Sequence, residues 1–296
     1  MFDFRLKVFY TVAKRLNFTS AAAELFISQP AVTKHIHEIE SHFKISLFDR
    51  SGNKKIMLTP AGRILLQHTE QLFDTYRELE YDMNLLVQNH GGVLRIGAST
   101  TVAQYIIPPL LARFHQKFKN VQVKLITGNS GDVEQALLKK EIELGIIEGI
   151  SRQPQIKYDE FLQDEIVLIC NTHSKLLKKD SLKPDDLKNY PLLLREQGSG
   201  TLEVIAHALK AHNIKLSDLQ IEMQLGSPES IKLYLMNSDC LALISLHAIL
   251  KELKNNEFRV IDLKGLSINR SFHFINTHGH APPLAELFTR FAKSIT

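Results

Sequence analysis

Val32, Ile36, Ile39 and Phe43 recur at intervals of three and four residues. That spacing places them on one face of a helix and predicts that the face is buried. The helix opens at Ser28, a good N-cap, with Pro30 in the first turn, where a missing N–H costs nothing. Gln29, Pro30, Thr33, Lys34 and His37 then share another face, polar and exposed. Just upstream, Ser20 to Leu25 is rich in Ala, the best helix former, and Phe26-Ile27-Ser28 breaks the two patterns apart. A short helix followed by a tight break and a second helix offering amides, hydroxyls and cations is a helix-turn-helix. Its second helix can enter the major groove of DNA.

Two strand-like pieces follow, LFDR and KIMLT, around the turn signal Ser51-Gly52-Asn53. They read as a hairpin wing with Arg50, Lys54 and Lys55 at its tip or flank, placed for phosphate contact rather than as a merely solvated basic turn. Thr59-Pro60-Ala61-Gly62 opens a long helix running to about Asn89. Along it Leu65, Thr69, Leu72, Tyr76, Leu79, Met83 and Leu86 alternate steps of four and three, a heptad seam that a lone helix cannot bury. Pairing of two such helices in a dimer is the expectation, against packing on the body of the same chain. His90-Gly91-Gly92 marks the joint that follows.

From Val93 the pattern changes. Strand-like runs (VLRIGAS, VQVKLITG, ELGIIEG, EIVLICN, YPLLLREQ, IEMQLGS, CLALISL, RVIDLK, SFHFINT) alternate with helical ones, the last being PLAELFTRFAKS. Such alternation predicts an α/β fold of mainly parallel sheets with helices on both faces. Two lobes of about 100 residues suit the remaining length.

Ligands of open α/β sheets bind beyond the carboxyl ends of strands. Several strands here end in small polar residues: Ser99-Thr100-Thr101, Thr127-Gly128-Asn129-Ser130, Gln197-Gly198-Ser199-Gly200-Thr201, and Ser227. Helix N-termini with hydroxyl donors suit an anion, a carboxylate or a small oxyanion. The competing reading is that each residue only caps its helix. The candidate effector residues are Ser99, Thr100, Thr101, Asn129, Glu148, Gln197, Ser199, Thr201 and Ser227. Glu148 is the odd member, a carboxylate expected to meet a cation on the effector or to pair with Arg195 or Arg152.

Charge sharpens this division of labour. Residues 1–60 hold nine Lys/Arg against five Asp/Glu, whereas residues 61–296 hold 27 of each. The whole formal excess of +4 therefore lies in the helix-turn-helix segment, as phosphate neutralisation would need. Cys170 and Cys240 sit in apolar runs and read as buried thiols in a reducing cytoplasm. No stretch has the length of a membrane-spanning helix, and the N-terminus lacks a signal-peptide pattern. Among 13 histidines, His273, His278 and His280 cluster near the final strand, but no ligand spacing for a metal appears. QGSGT lacks the ending of a phosphate-binding Walker loop, and no nucleophile elbow occurs. No catalytic residue, metal or cofactor is expected.

From Phe9 to Gly62, the runs FYTVAKRLNFTSAAAELFISQPAVTKHIHEIE and LFDRSGNKKIMLTPAG resemble the N-terminal domain of the LysR-type transcriptional regulators. Ile39 replaces the usual Leu before Glu40, and Lys44 stands where the family usually has Gly, so a less strained or differently set turn is expected there. EQGSGT with GIIEG resembles more weakly the subgroup that governs sulfur or sulfite metabolism. The resemblance implies a winged helix-turn-helix over 1–60, a dimerising linker helix over 61–90, and a periplasmic-binding-protein-like body. In that body one lobe is 91–162 with 267–296, the other is 163–266, and the effector lies between them. It further implies a cytoplasmic homodimer or homotetramer acting on an interrupted palindrome of double-stranded DNA, with RNA polymerase as a further candidate partner and no membrane association. Two rival classes are a solute-binding protein of transport, which residues 1–89 argue against, and an enzyme with an appended helix-turn-helix, which would need a catalytic constellation in the cleft.

Overall fold

The computed structural model describes residues 3–49, 56–86, 91–150, 152–174, 180–278 and 281–295. The chain forms two compact units, Met1–Met83 and Asn84–Thr296.

In the first unit, α1 (Phe4–Arg15), α2 (Phe18–Leu25) and α3 (Gln29–Phe43) enclose a core of Val8, Phe9, Val12, Val32, Ile36 and Ile39. Phe48 closes it, with ring centres 5.6 Å from Phe9 and 5.7 Å from Phe18. The caps follow the sequence: Asn17 accepts from the Ser20 N–H, and Ser28 accepts from the Ala31 N–H. The break between α2 and α3 is made by Phe26, which is left-handed at φ 56° and has its ring 95% exposed. Two expectations are corrected. Phe43 is 55% exposed, because α3 outruns the core and the buried stripe ends at Ile39. The turn at Lys44 keeps the left-handed conformation that favours glycine, at φ 54°, with its N–H bonded to the Glu40 carbonyl. It is therefore neither relaxed nor reset.

Strands β1 (Phe48–Asp49) and β2 (Met57–Leu58) pair antiparallel as the base of the wing. The expected tip, with Arg50, Lys54 and Lys55, lies outside the described residues. The long helix α4 (Pro60–Leu86) is capped by Thr59, whose hydroxyl accepts from the Gly62 N–H and donates to the Ser46 carbonyl. Gly62 is required by close approach: a Cβ there would sit 2.2 Å from the Leu47 carbonyl oxygen.

Among the described residues the second unit is built on ten strands, six α-helices and short connecting turns. Strands β3 (Gly92–Ser99), β4 (Val121–Gly128) and β5 (Leu144–Glu148) are parallel, with α5 (Ile107–Lys117) and α6 (Ser130–Leu138) between them in sequence. They form the first lobe with α10 (Pro283–Lys293). The second lobe holds β8 (Pro191–Arg195), β9 (Gln220–Leu225) and β10 (Leu241–Ser245), again parallel, with α7 (Gly200–Lys210), α8 (Pro228–Met236) and α9 (Leu250–Lys254). Short β7 (Ser181–Leu182) and β11 (Phe258–Leu263) add to its edge.

The lobes are joined by two long strands that run antiparallel, so the sheet is mixed rather than mainly parallel. Strand β6 (Ile156–Asn171) pairs with β12 (Ile268–Thr277) over its first part and with β10 and β11 over its last. The sequence suggests only EIVLICN as strand here; the preceding KYDEFLQD carries too many polar residues to show an apolar alternation. Cys170 faces the core that holds Leu168 and Leu241, and Cys240 the core on the opposite side of the sheet. Both thiols are free, and adjacent residues of a strand point to opposite faces, which keeps the two apart.

Candidate functional site

The polar face of α3 is assembled as its spacing demands. Ser28, Gln29, Pro30, Lys34 and His37 are exposed and Thr33 is half-buried, while Val32 and Ile36 on the other face are fully buried. Gln29 and Thr33, one turn apart, are coupled. The Gln29 amide donates to the Thr33 hydroxyl at 3.1 Å, and that hydroxyl lies 3.2 Å from the Gln29 carbonyl. The pair presents an amide whose orientation is already fixed, on a helix held rigid by the core beneath it.

Along α4 the heptad seam divides. Leu65 packs on the helix-turn-helix core and Thr69 is fully buried, with its hydroxyl bonded to the Leu65 carbonyl. Leu72, Leu79 and Met83 are 49%, 53% and 56% exposed, and Tyr76 is half-buried. The Leu86 side chain lies outside the described residues. The start of the seam thus packs within its own chain, and the rest leaves large apolar groups uncovered.

In the second unit, three of the strand-end residues converge. Ser99 ends β3, Glu148 ends β5 and Thr201 lies in the first turn of α7. Ser99 donates to the Glu148 carboxylate, and Thr201 donates to its other oxygen at 3.2 Å. Arg270, on β12, donates through Nη1 to the Thr201 hydroxyl at 2.7 Å and lies 3.5 Å from Glu148. Its Nε donates to Asp164 on β6 at 2.6 Å, and Asp164 accepts from Ser245, at the end of β10, at 2.9 Å. The result is a buried chain of polar groups running from the first lobe, through both crossing strands, to the second. Two carboxylates surround one guanidinium, and such a cluster is held only if its partners are satisfied.

This geometry corrects the reading of Glu148. Its cation is Arg270, whereas Arg195 is bonded to Glu196 and the Gly226 carbonyl, and Arg152 to the Gly149 carbonyl and His273. Sequence reasoning missed Arg270, Asp164 and Ser245. Their signal is a cross-strand register, Arg270 opposite Asp164, that spans 106 residues.

The remaining candidates separate. Asn129 and Asp132 form a reciprocal capping box on α6, and Ser227 caps α8 by accepting from the Ser230 N–H. Thr101 is buried, and the Thr100 hydroxyl is buried without a partner among the described residues. Gln197 and Ser199 line a cavity of 380 Å³ with Ser130, Glu134 and Glu203. The seam beside it is tight: Gly131 donates to the Gly198 carbonyl at 3.2 Å, and a Cβ at Gly200 would sit 1.9 Å from the Glu148 carbonyl oxygen. Burial pushes the Glu134 carboxyl above its usual range, and Glu203 adds to this, while a bond from the Tyr158 hydroxyl opposes it. A π-helical turn, Val102–Ile106, leads from Ser99 into α5 and carries Tyr105, which is hydrogen-bonded to Glu229 of the second lobe. Among the described residues no group of His, Cys, Asp and Glu is placed to hold a metal, and no helix is long and apolar enough to cross a membrane. His280 lies outside those residues; His278 bonds the Pro154 carbonyl.

Residues 4–63 match the family described as bacterial regulatory helix-turn-helix protein, lysR family, and residues 88–295 match the LysR substrate binding domain. The chain is 29% identical over 272 residues to the HTH-type transcriptional regulator CysL of Bacillus subtilis (strain 168), covering 92% of this chain and 90% of that protein. It is 33% identical over 228 residues to the HTH-type transcriptional regulator YeiE of Escherichia coli (strain K12), covering 77% and 75%. Full-length CbnR complexed with its target DNA shares the fold with a TM-score of 0.64 at 21% identity, over 99% of both chains. The regulatory domain of CcmR from Synechocystis PCC6803, in complex with 2-PG, does so at 0.63 and 24%, over 69% of this chain and 97% of that one. The helix-turn-helix and the two-lobed body are thus each matched by a model of one family, and the chain belongs to the LysR family of transcriptional regulators.

Proposed function

We propose that this regulator reads an interrupted palindrome as a homodimer, which pairs further into a tetramer, and that a small anion binding between the lobes sets the spacing of the paired readers. Gln29, Thr33 and Lys34 read base edges, where Gln suits adenine and Lys suits guanine. Pro30 and His37 border that surface. Ser28, with Arg50 and Lys54 of the wing, holds phosphates, which fix register without reading sequence. The observation that carries this reading is the fixed Gln29–Thr33 pair on an exposed face whose reverse side is fully buried.

Pairing of the readers falls to α4 through Leu72, Tyr76, Leu79, Met83 and Leu86, with Leu65 anchoring the helix to its own domain. The proposed division is 1–60, 61–90, 91–162 with 267–296, and 163–266. The effector is a carboxylate or small oxyanion. Ser99, Thr100, Thr101, Asn129, Gln197, Ser199, Thr201 and Ser227 supply hydroxyls, amides and helix N-termini around its site. Glu148 orients two of those hydroxyls. An effector shifts the lobes only by binding one arrangement better than another. The protein works in the cytoplasm, without catalysis, and RNA polymerase is its downstream partner.

Footprinting of the purified protein across its genome at physiological salt tests the reading. Protection of a palindromic set of sites, altered by the effector, is expected; uniform, sequence-independent protection would overturn it.

A further inference from the structure

Helix α7 separates two cavities of opposite chemistry. The 380 Å³ cavity on one side has Glu134, Glu148 and Glu203 among its lining residues and, among the described residues, no Lys, Arg or His. The other, 460 Å³, lies between Gly149, Ile150 and Arg152, the His207 face of α7 and the start of β12. Its lining includes Arg152, Arg270, His207 and His273, and no Asp or Glu among the described residues.

We propose that this second cavity binds a small organic acid, with its anionic head at Arg270 and Arg152 and its carbon body against Ile150 and Val204. Three observations carry the assignment. Arg270 is a buried cation, 2% exposed at its side chain, that lines the cavity. Its Nε and Nη1 are engaged by Asp164 and Thr201, but Nη2 has no acceptor among the described residues. A guanidinium carries five N–H donors, and leaving them unmet in the interior is costly. An acidic ligand supplies the acceptor. Arg152 adds a second guanidinium at the mouth. It is set by a 3.0 Å bond to the Gly149 carbonyl and by stacking 4.5 Å from the Tyr158 ring centre. Its contact with His273 Nε2 at 3.2 Å is a donation, because arginine has no acceptor. Burial holds the His273 imidazole below its usual range, so the positive charge at the head of the site comes from the two guanidiniums.

The third observation is the lining itself. Asn269 and Ser271 contribute neutral polar groups, and Ile150, Val204, Leu266 and Ile268 contribute apolar surface. A bare inorganic anion would leave that surface unused. A cavity of this size suits an acid of about four to six carbons. Because Arg270 also belongs to the buried chain through Thr201 and Glu148, occupancy here would reach the same lobe junction as the effector proposed above. The site is nonetheless separate from the Gln197–Ser199 cavity, so either can fail alone.

Titration calorimetry and thermal shift of the full chain with succinate, malate and glutarate, and with inorganic sulfate as the head alone, test the assignment. At least one acid is expected to bind saturably. Arg152→Gln, at an exposed position, should weaken it about tenfold, a loss well within reach of one charged contact. Arg270→Gln should abolish it, and Gln197→Ala, in the acidic cavity, should leave it unchanged. No binding of any of the three acids at millimolar concentration would overturn the proposal. So would sulfate binding alone, or full affinity in Arg152→Gln.

Discussion

Thr201 accepts a 2.7 Å hydrogen bond from Arg270 and donates one of 3.2 Å to Glu148. One hydroxyl therefore mediates between a cation and an anion that are themselves 3.5 Å apart and almost fully buried. Thr201→Val keeps the shape and removes the mediator, leaving a buried donor and a buried acceptor each short of a partner. A loss of about 2 kcal/mol is expected in urea unfolding of the effector domain. Thr201→Ser should recover most of it. A loss below about 0.5 kcal/mol, smaller than a single ordinary hydrogen bond, would mean that the hydroxyl is not the link.

The same network shows what a sequence can disclose. Ser99, Glu148 and Thr201 stand at strand ends or helix starts, where local pattern alone marks them, and all three meet. Arg270 and Asp164 lie inside β12 and β6, and only their cross-strand register joins them. Nothing local announces that register, because the first part of β6 is polar and hides its strand. The first unit was more legible: its caps, break and buried stripe are local features, and all but the last stripe position, Phe43, are buried. Asn129 and Ser227 show the opposite limit, since a capping residue and a ligand-binding one look alike in sequence.

At Lys44 the backbone is left-handed at φ 54°, a conformation costing a residue with a Cβ about 1–2 kcal/mol relative to glycine. Lys44→Gly should stabilise the helix-turn-helix unit by about 1 kcal/mol, somewhat less than the strain removed, because glycine also gains freedom when unfolded. Thermal unfolding of the variant measures this directly. An unchanged or lowered midpoint would mean that the lysine side chain makes a compensating contact.

Glu134 gives the effector domain a pH signature. Tyr158 donates to its Oε1 at 2.6 Å, and burial together with Glu203 raises its carboxyl above the usual range. The folded state therefore holds this proton more tightly than the unfolded chain does. The stability it confers is complete below the ordinary glutamate range and is lost as pH rises through the elevated value. Glu134→Gln keeps an acceptor for Tyr158 but cannot ionise. Its melting temperature should fall less than that of the parent between about pH 4 and about pH 8. Parallel pH profiles for the two proteins would show that Glu134 does not titrate in this way.

Leu72, Leu79 and Met83 expose about half of their surfaces along one side of α4, a cost that pairing with a second helix removes. Leu79→Glu should shift the purified protein toward monomer in sedimentation velocity without changing the unfolding of the helix-turn-helix core, which Leu79 does not join. Binding to a full palindrome should weaken while the affinity for a single half-site stays the same. A variant that remains dimeric at the parent's concentration would place the pairing surface elsewhere.

Thr33 tests the reading surface itself. Its hydroxyl fixes the Gln29 amide at 3.1 Å, and the residue is half-buried on an otherwise solvated face. Thr33→Ala should leave the helix intact, since Ala is the better helix former. It should free the amide to rotate and remove a methyl and a hydroxyl from the groove. Each good base contact discriminates by about 1–3 kcal/mol, so the ratio of affinities for cognate and scrambled DNA should fall about tenfold in a gel-shift titration, a change of about 1.4 kcal/mol. Affinity for scrambled DNA, set by phosphate contacts and salt, should barely move. An unchanged ratio would mean that sequence is read by residues other than this pair, and the weight would pass to Lys34 and its neighbours on the next ridge of the helix.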